Sequence, residues 1–200
     1  VGGGYIGLEM AEALIMRGLD VSLVDRGAQV MNTLDPDMGS LVSDALVEAG
    51  VNLYREEALE AFEVADGRVK AVVTNKRTLP ADIVILGLGV RPRTELAARA
   101  GIPLGVRDAV KVNDRMMTGV EGVWAAGDCA ESFHLVSRRH VNIALGTIAN
   151  KQGRVAGINL GGGYATFPGV VGTAVSKICK WEVARTGLQE REIKALGLEY

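Results

Sequence analysis

The apolar positions between Tyr5 and Arg17 recur at helical spacing, and those between Val21 and Asp25 run nearly unbroken. The first pattern predicts a helix that Gly18 ends, and the second a strand that Asp25 ends. Val1 reads as the last residue of a strand ahead of a glycine turn. A second helix is expected from Asp35-Pro36, with Asp35 as N-cap and Pro36 at the first helical position, to about Ala49, where Gly50 ends it. Val51 to Tyr54 is the next strand. The period then falls to two. Leu59 to Val64 and Val69 to Thr74 flank Asp66-Gly67, a hairpin signal, and a turn at Asn75-Lys76 leads to Thr78 and Leu79. This antiparallel meander stands in place of a crossover helix. Asp82 to Gly87 is an apolar run expected to form a strand buried on both faces. Further on, Thr94 should cap a short helix that Gly101 ends. Val110–Val112 and Gly122–Asp128 read as strands and Ile143–Leu160 as a helix. Two more strands fall around Ala174–Ile178 and Glu182–Thr186, followed by a helix from Glu190.

Strand, glycine turn, helix and strand together form a binding element. Gly2, Gly4 and Gly7 fit G-x-G-x-x-G. Gly2 permits the tight turn, Gly4 lets a pyrophosphate approach the backbone, and Gly7 lets the helix pack closely on the strand. The helix start then offers free N–H groups and the positive end of its dipole to phosphates. Asp25, eighteen positions after Gly7, ends the second strand. A carboxylate there can accept hydrogen bonds from both hydroxyls of an adenosine ribose, which predicts NADH in preference to NADPH. A first strand with only Val1 left predicts a piece of a longer protein.

Composition narrows the class. The 200 residues are 48% hydrophobic with 26 glycines, which suits a turn-rich α/β core. A net charge of -2 with no basic run argues against nucleic-acid binding. No apolar run reaches membrane-spanning length and no signal peptide is visible, which predicts a cytoplasmic protein with no membrane partner. Cys129 and Cys179 are isolated, and only His134 and His140 are available as imidazoles, so no metal site is expected.

Five segments then occur in register: GGGYIGLE, ILGLGVRP, VWAAGDCAE, IALGTIANKQGR, and FPGVVGT-AVSK with EVARTGL. The set resembles the pyridine nucleotide-disulfide oxidoreductase family, in the branch that holds NADH oxidase, NADH peroxidase and coenzyme A-disulfide reductase. The resemblance implies a Rossmann-like NAD-binding domain over residues 1–110, with a parallel sheet and the meander. It implies the C-terminal segment of an FAD-binding domain over 111–163 and the start of an α+β dimerisation domain over 166–200. Position by position, it places Gly2, Gly4, Ile6 and Gly7 along NAD. Tyr5 would cover the flavin's nicotinamide side, Glu9 would stand near the nicotinamide, and Gly89 would lie against its end. Asp128 would hydrogen-bond the flavin's ribityl chain, Gly127 beside it would belong to the cofactor site, and Ala144, Leu145 and Gly146 would lie beside the flavin ring.

By the same resemblance the cofactors are FAD and NAD. The substrate is a small disulfide, peroxide or oxygen, reached through a redox cysteine outside this chain, and the full-length protein is a homodimer. Neither Cys129 nor Cys179 matches that cysteine. Two alternatives stand beside this reading: a ferredoxin- or rubredoxin-type NADH reductase, and a non-catalytic NAD-binding module.

Overall fold

The computed structural model describes residues 1–199. The chain divides into two compact units. The first comprises Val1–Gly89, Val175–Ala184 and Gln189–Arg191, and the second comprises Val90–Ala174, Arg185–Leu188 and Glu192–Tyr200.

In the first unit, α1 (Tyr5–Met16) leads to β1 (Ser22–Val24), and α2 (Pro36–Glu48) leads to β2 (Asn52–Tyr54). Strands β1 and β2 pair in parallel, with Leu23 opposite Leu53. Val1 extends the sheet on the other side of β1. Gly2 donates its N–H to the Val24 carbonyl at 2.8 Å, and Gly87 donates to the Val1 carbonyl at 2.8 Å. The resulting order is 52–54, 22–24, 1–2, then 85–87, the order of the first half of a doubly wound α/β sheet. Leu8 and Ala11 of α1, Leu23 of β1 and Val42 and Leu46 of α2 form the core, and Ile178 from the later hairpin joins them. That hairpin is β8 (Ala174–Ile178) and β9 (Trp181–Arg185).

The expected hairpin is present as β3 (Leu59–Ala65) and β4 (Arg68–Thr74), with β5 (Thr78–Pro80) pairing antiparallel to β4. Asp66 and Gly67 have φ of 53° and 71°, the double positive φ that a two-residue hairpin turn requires. Gly18, at φ 74°, ends α1 as expected. It donates to the Ile15 carbonyl at 2.8 Å while Leu19 donates to that of Leu14.

The second unit holds α3 (Glu95–Arg99), β6 (Ser132–His134), β7 (Arg139–Val141) and α4 (Gly146–Leu160). The last helix, α5, runs over Glu190–Leu196. Helix α4 buries Ile148, Val155 and Ala156 against Met116, Phe167 and Val170.

Several expectations are corrected. The 82–87 run is not a two-faced buried strand. Among the described residues its sheet bonds go to Val1 alone, and Ile83 and Leu86 are 70% and 52% exposed. Gly122–Asp128 and Val110–Val112 make isolated bridges (Met117 with Trp124, Val110 with Leu104 and with Ala130) and no regular strand. Helix α4 begins at Gly146, not Ile143, because Leu145 at φ -131° and ψ 132° is extended. Asp35 and Thr94 stand at helix starts but cap neither helix. Asp35 Oδ1 instead accepts the Glu190 N–H at 3.0 Å, and Thr94 Oγ1 donates to the Asp108 carbonyl at 2.7 Å. The β6–β7 hairpin was not expected from the sequence.

Candidate functional site

Three glycines make the turn ahead of α1 possible. A Cβ on Gly2, at φ 101°, would fall on the Gly87 carbonyl, and one on Gly7 would fall on the Gly2 carbonyl oxygen. A Cβ on Gly87 would press on the Gly7 backbone at 3.2 Å. The sequence reading assigned Gly2 and Gly7 their roles; Gly87 completes the close approach of helix and strand. Gly4 differs. It is the N-cap of α1, in extended conformation, and a Cβ there would meet nothing within 4 Å. The first helical bond runs from the Leu8 N–H to the Gly4 carbonyl, so the N–H groups of the first turn are left for a ligand. No acidic side chain lies in that turn to compete with an anion. These features fit a dinucleotide's phosphates.

Asp25 follows β1 and is tied down on both oxygens. Gly3 donates its N–H to Oδ2 and Gly27 donates to Oδ1, each at 2.6 Å. Gly3, which the glycine pattern alone did not single out, is the donor that ties Oδ2 to the turn. A carboxylate oxygen has a second lone pair, so Asp25 can still accept bonds from hydroxyls. Beside this loop lies a cleft of about 450 Å³, lined by Ala28, Tyr54, Arg55, Lys76 and Arg77 among others. Arg77 pairs with buried Glu57 at 2.9 Å and stacks 4.9 Å over the Tyr54 ring. None of the residues assigned from the sequence lines that cleft.

The other assigned residues of this unit are placed as follows. The Tyr5 hydroxyl accepts a bond from Thr33 Oγ1 at 3.2 Å, and its ring packs on the core. Ile6 is half exposed, and Glu9 Oε1 accepts from Ser176 Oγ at 3.3 Å. Gly89, at φ 91°, has open space where a Cβ would stand.

In the second unit, Gly127 (φ 84°) and Asp128 form a tight turn. The Gly127 N–H donates to Gln152 Oε1 at 2.8 Å, and the Asp128 carbonyl accepts from Asn142 Nδ2 at 3.0 Å. The Asp128 side chain is exposed and, among the described residues, without a hydrogen-bond partner. Leu145 is the N-cap of α4, with Ala144 just before it and Gly146 the first helical residue, and no side chain caps that end. A free carboxylate near an uncapped helix start fits a ligand with both hydroxyls and an anionic ring system. Gln152 is fully buried, and the sequence reading gave it no role.

Cys129 and Cys179 are free thiols. Burial pushes the Cys179 thiol upward, and the Glu12 carboxylate adds to the shift. His134 is 3% exposed; its Nδ1 accepts the Ser137 N–H at 3.2 Å, and burial pushes its pKa down. His140 Nδ1 lies 3.0 Å from the buried Glu131 carboxylate. Among the described residues no group of side chains could hold a metal ion, and no helix is long and apolar enough to cross a membrane.

Comparison with known proteins matches the family described as pyridine nucleotide-disulphide oxidoreductase over residues 1–153. The NAD(P)H sulfur oxidoreductase (CoA-dependent) of Pyrococcus abyssi is 42% identical over 200 residues, which is all of this chain and 44% of that protein. The chain therefore spans less than half the length of that curated relative. Among solved structures, an NAD-dependent persulfide reductase from A. fulgidus is 39% identical with a TM-score of 0.95, covering 99% of this chain and 37% of that one. A water-forming NADH oxidase from Lactobacillus brevis, bound to NADH, is 30% identical with a TM-score of 0.90, covering 98% and 44%. Its engineered NADPH-oxidase form, bound to NADPH, is 29% identical with the same TM-score and the same coverage. That form carries a glycine and an aspartate changed to alanine eighteen positions apart, with the residue after the aspartate changed to arginine.

Proposed function

Because the chain belongs to the pyridine nucleotide-disulphide oxidoreductase family, we propose that it supplies the NAD site and part of the FAD site of an NAD(P)H-dependent flavoprotein reductase. The observation that carries this reading is the open space over Gly4, above unpaired N–H groups at the start of α1, with Asp25 fixed at the end of β1. Bound there, the dinucleotide and the flavin would supply hydride-transfer chemistry.

The chain's own residues then bind and orient. The first turn of α1 receives the pyrophosphate. Asp25 receives the adenosine ribose. The Asp128 carboxylate would receive the ribityl hydroxyls, and the start of α4, with its dipole, would favour negative charge on the flavin ring. Residues 1–110 act as the NAD domain, 111–163 as the returning part of the FAD domain, and 166–200 as the beginning of the dimer interface. The electron acceptor is a small disulfide, peroxide or oxygen in this reading, and the names of the relatives add sulfur and persulfide. The redox cysteine is placed outside this chain, and the working protein is taken as a cytoplasmic homodimer.

NADH is preferred over NADPH in this reading. Asp25 is held by the Gly3 and Gly27 N–H groups and cannot swing away from a 2′-phosphate. Two like charges 4 Å apart repel by about 4 kcal/mol at an effective dielectric of 20. Arg26, exposed and adjacent, offsets part of this. Gly7 and Asp25 have the eighteen-residue spacing of the glycine and aspartate changed in the engineered NADPH oxidase, and Arg26 stands where that enzyme received its arginine. The net preference is therefore modest, about tenfold or about 1.4 kcal/mol.

Gly4→Val tests the site. Gly4 has negative φ and free space, so the fold accepts the side chain, while the bound pyrophosphate does not. Calorimetry on the full-length protein should show NADH binding weakened at least about a hundredfold, or about 2.7 kcal/mol, with an unchanged melting temperature. Undiminished NADH binding by this variant would remove the phosphates from this loop.

A further inference from the structure

Gln152 is a polar residue on the apolar face of α4, at 0% exposure, and it leaves no polar atom unused. The Gly127 N–H can only donate, so the atom facing it is the amide oxygen, at 2.8 Å. The amide nitrogen donates to Ser132 Oγ at 2.9 Å and to the Glu131 carbonyl at 3.4 Å. From the other side, Asn142 Nδ2 donates to the Asp128 carbonyl at 3.0 Å and to that of Ala130 at 3.2 Å. The backbone from 127 to 132 is thus gripped at both ends. Gly127 is held at φ 84°, and a Cβ there would touch Ala149 of α4 at 3.4 Å. Among the described residues, the Asp128 side chain at the tip of this turn has no hydrogen-bond partner.

A buried amide that fixes the backbone of a turn, with a free carboxylate at its tip, has a use beyond packing. We propose that Gln152 is the positioning residue for the flavin: it holds the Gly127–Asp128 turn so that the Asp128 carboxylate is aimed at the ribityl hydroxyls before the cofactor arrives. The inference rests on the reading of Asp128 as a flavin contact. Preorganisation is what gives it force, because a ligand that must order the turn itself binds more weakly.

The test uses the full-length protein, stripped of flavin and titrated with FAD by fluorescence. Gln152→Leu should weaken FAD binding about tenfold, the low end of what losing an outer partner costs at metal sites, and shift the visible flavin band. Asp128→Ala should weaken it by at least as much. In the Asp128→Ala background, Gln152→Leu should add less than about twofold, because it acts through that carboxylate. A purely structural Gln152 gives a different pattern: Gln152→Leu lowers the melting temperature with FAD affinity unchanged, or the two losses multiply, and either result overturns the inference. If Asp128→Ala alone leaves FAD affinity intact, the flavin reading of Asp128 falls first. Should Gln152→Leu not fold, Ser132→Ala carries the test by freeing the amide to turn. About a threefold weakening that disappears in the Asp128→Ala background supports the role, and no weakening overturns it.

Discussion

Asp25 is the residue where stability and nucleotide choice can be separated. Its carboxylate accepts two backbone N–H bonds at 2.6 Å, one from the glycine turn and one from the loop after β1. Hydrogen bonds to a charged group contribute roughly 1.5–3 kcal/mol each. Asp25 is partly exposed, so the lower figure applies, and Asp25→Ala should cost about 3 kcal/mol. At roughly 2–4 °C per kcal/mol for a chain of this size, the melting temperature falls by roughly 6–12 °C. Asp25→Asn keeps the shape and one acceptor but turns an NH₂ toward the other N–H, so its loss is about half as large.

The two variants agree on selectivity even though they differ in stability. Both remove the charge that repels a 2′-phosphate, and Arg26 remains beside it. The proposed tenfold preference for NADH should therefore collapse to about unity or invert in Asp25→Asn, read as the ratio of NADH and NADPH dissociation constants by calorimetry. A ratio that stays at its original value in Asp25→Asn refutes the electrostatic account of selectivity. An Asp25→Ala protein that melts with the wild type refutes the structural account of the two short bonds.

Two further outcomes follow from buried titrating groups. Burial lowers the His134 pKa below that of a free imidazole, with the Arg185 charge adding to this and Glu192 opposing it. Unfolded histidine takes its proton near pH 6.5, so the contribution of His134 to stability is complete above that pH and declines as pH falls below it; His134→Gln should flatten that acid limb of a melting-temperature profile, and an unchanged limb excludes His134 as its source. The raised Cys179 thiol should react with iodoacetamide at neutral pH more slowly than free cysteine, and labelling at or above the free-cysteine rate would contradict the burial argument.

What the sequence revealed and what it hid follow a physical division. Gly2, Gly7, Gly18 and Asp66-Gly67 were legible because each answers a local demand of the backbone, a positive φ or a close approach that a side chain would block. Asp35 and Thr94 show the limit of local reasoning. Each lies at a helix boundary, as its side chain prefers, yet a more distant group takes the bond: the Glu190 N–H in one case, the Asp108 carbonyl in the other. The exposed Ile83 and Leu86 show a second limit. An apolar run states a preference for burial, but the neighbours that would satisfy it are a property of the assembled sheet, and here the run's hydrogen-bonded partner is Val1. Gln152 is the most instructive miss, because a signal was present. Ile148, Gln152, Val155, Ala156 and Asn159 form one face of α4 at spacings of four, three, one and three, so the polar pair Gln152 and Asn159 sits on the buried stripe. Buried amides must find partners. Asn159 does so by donating to the carbonyls of Arg115 and Ala165, which braces the helix end, and Gln152 does so at the Asp128 turn. A glutamine on an apolar helical stripe therefore announces that some backbone turn depends on it, and only the folded chain reveals that the turn carries an unpartnered carboxylate.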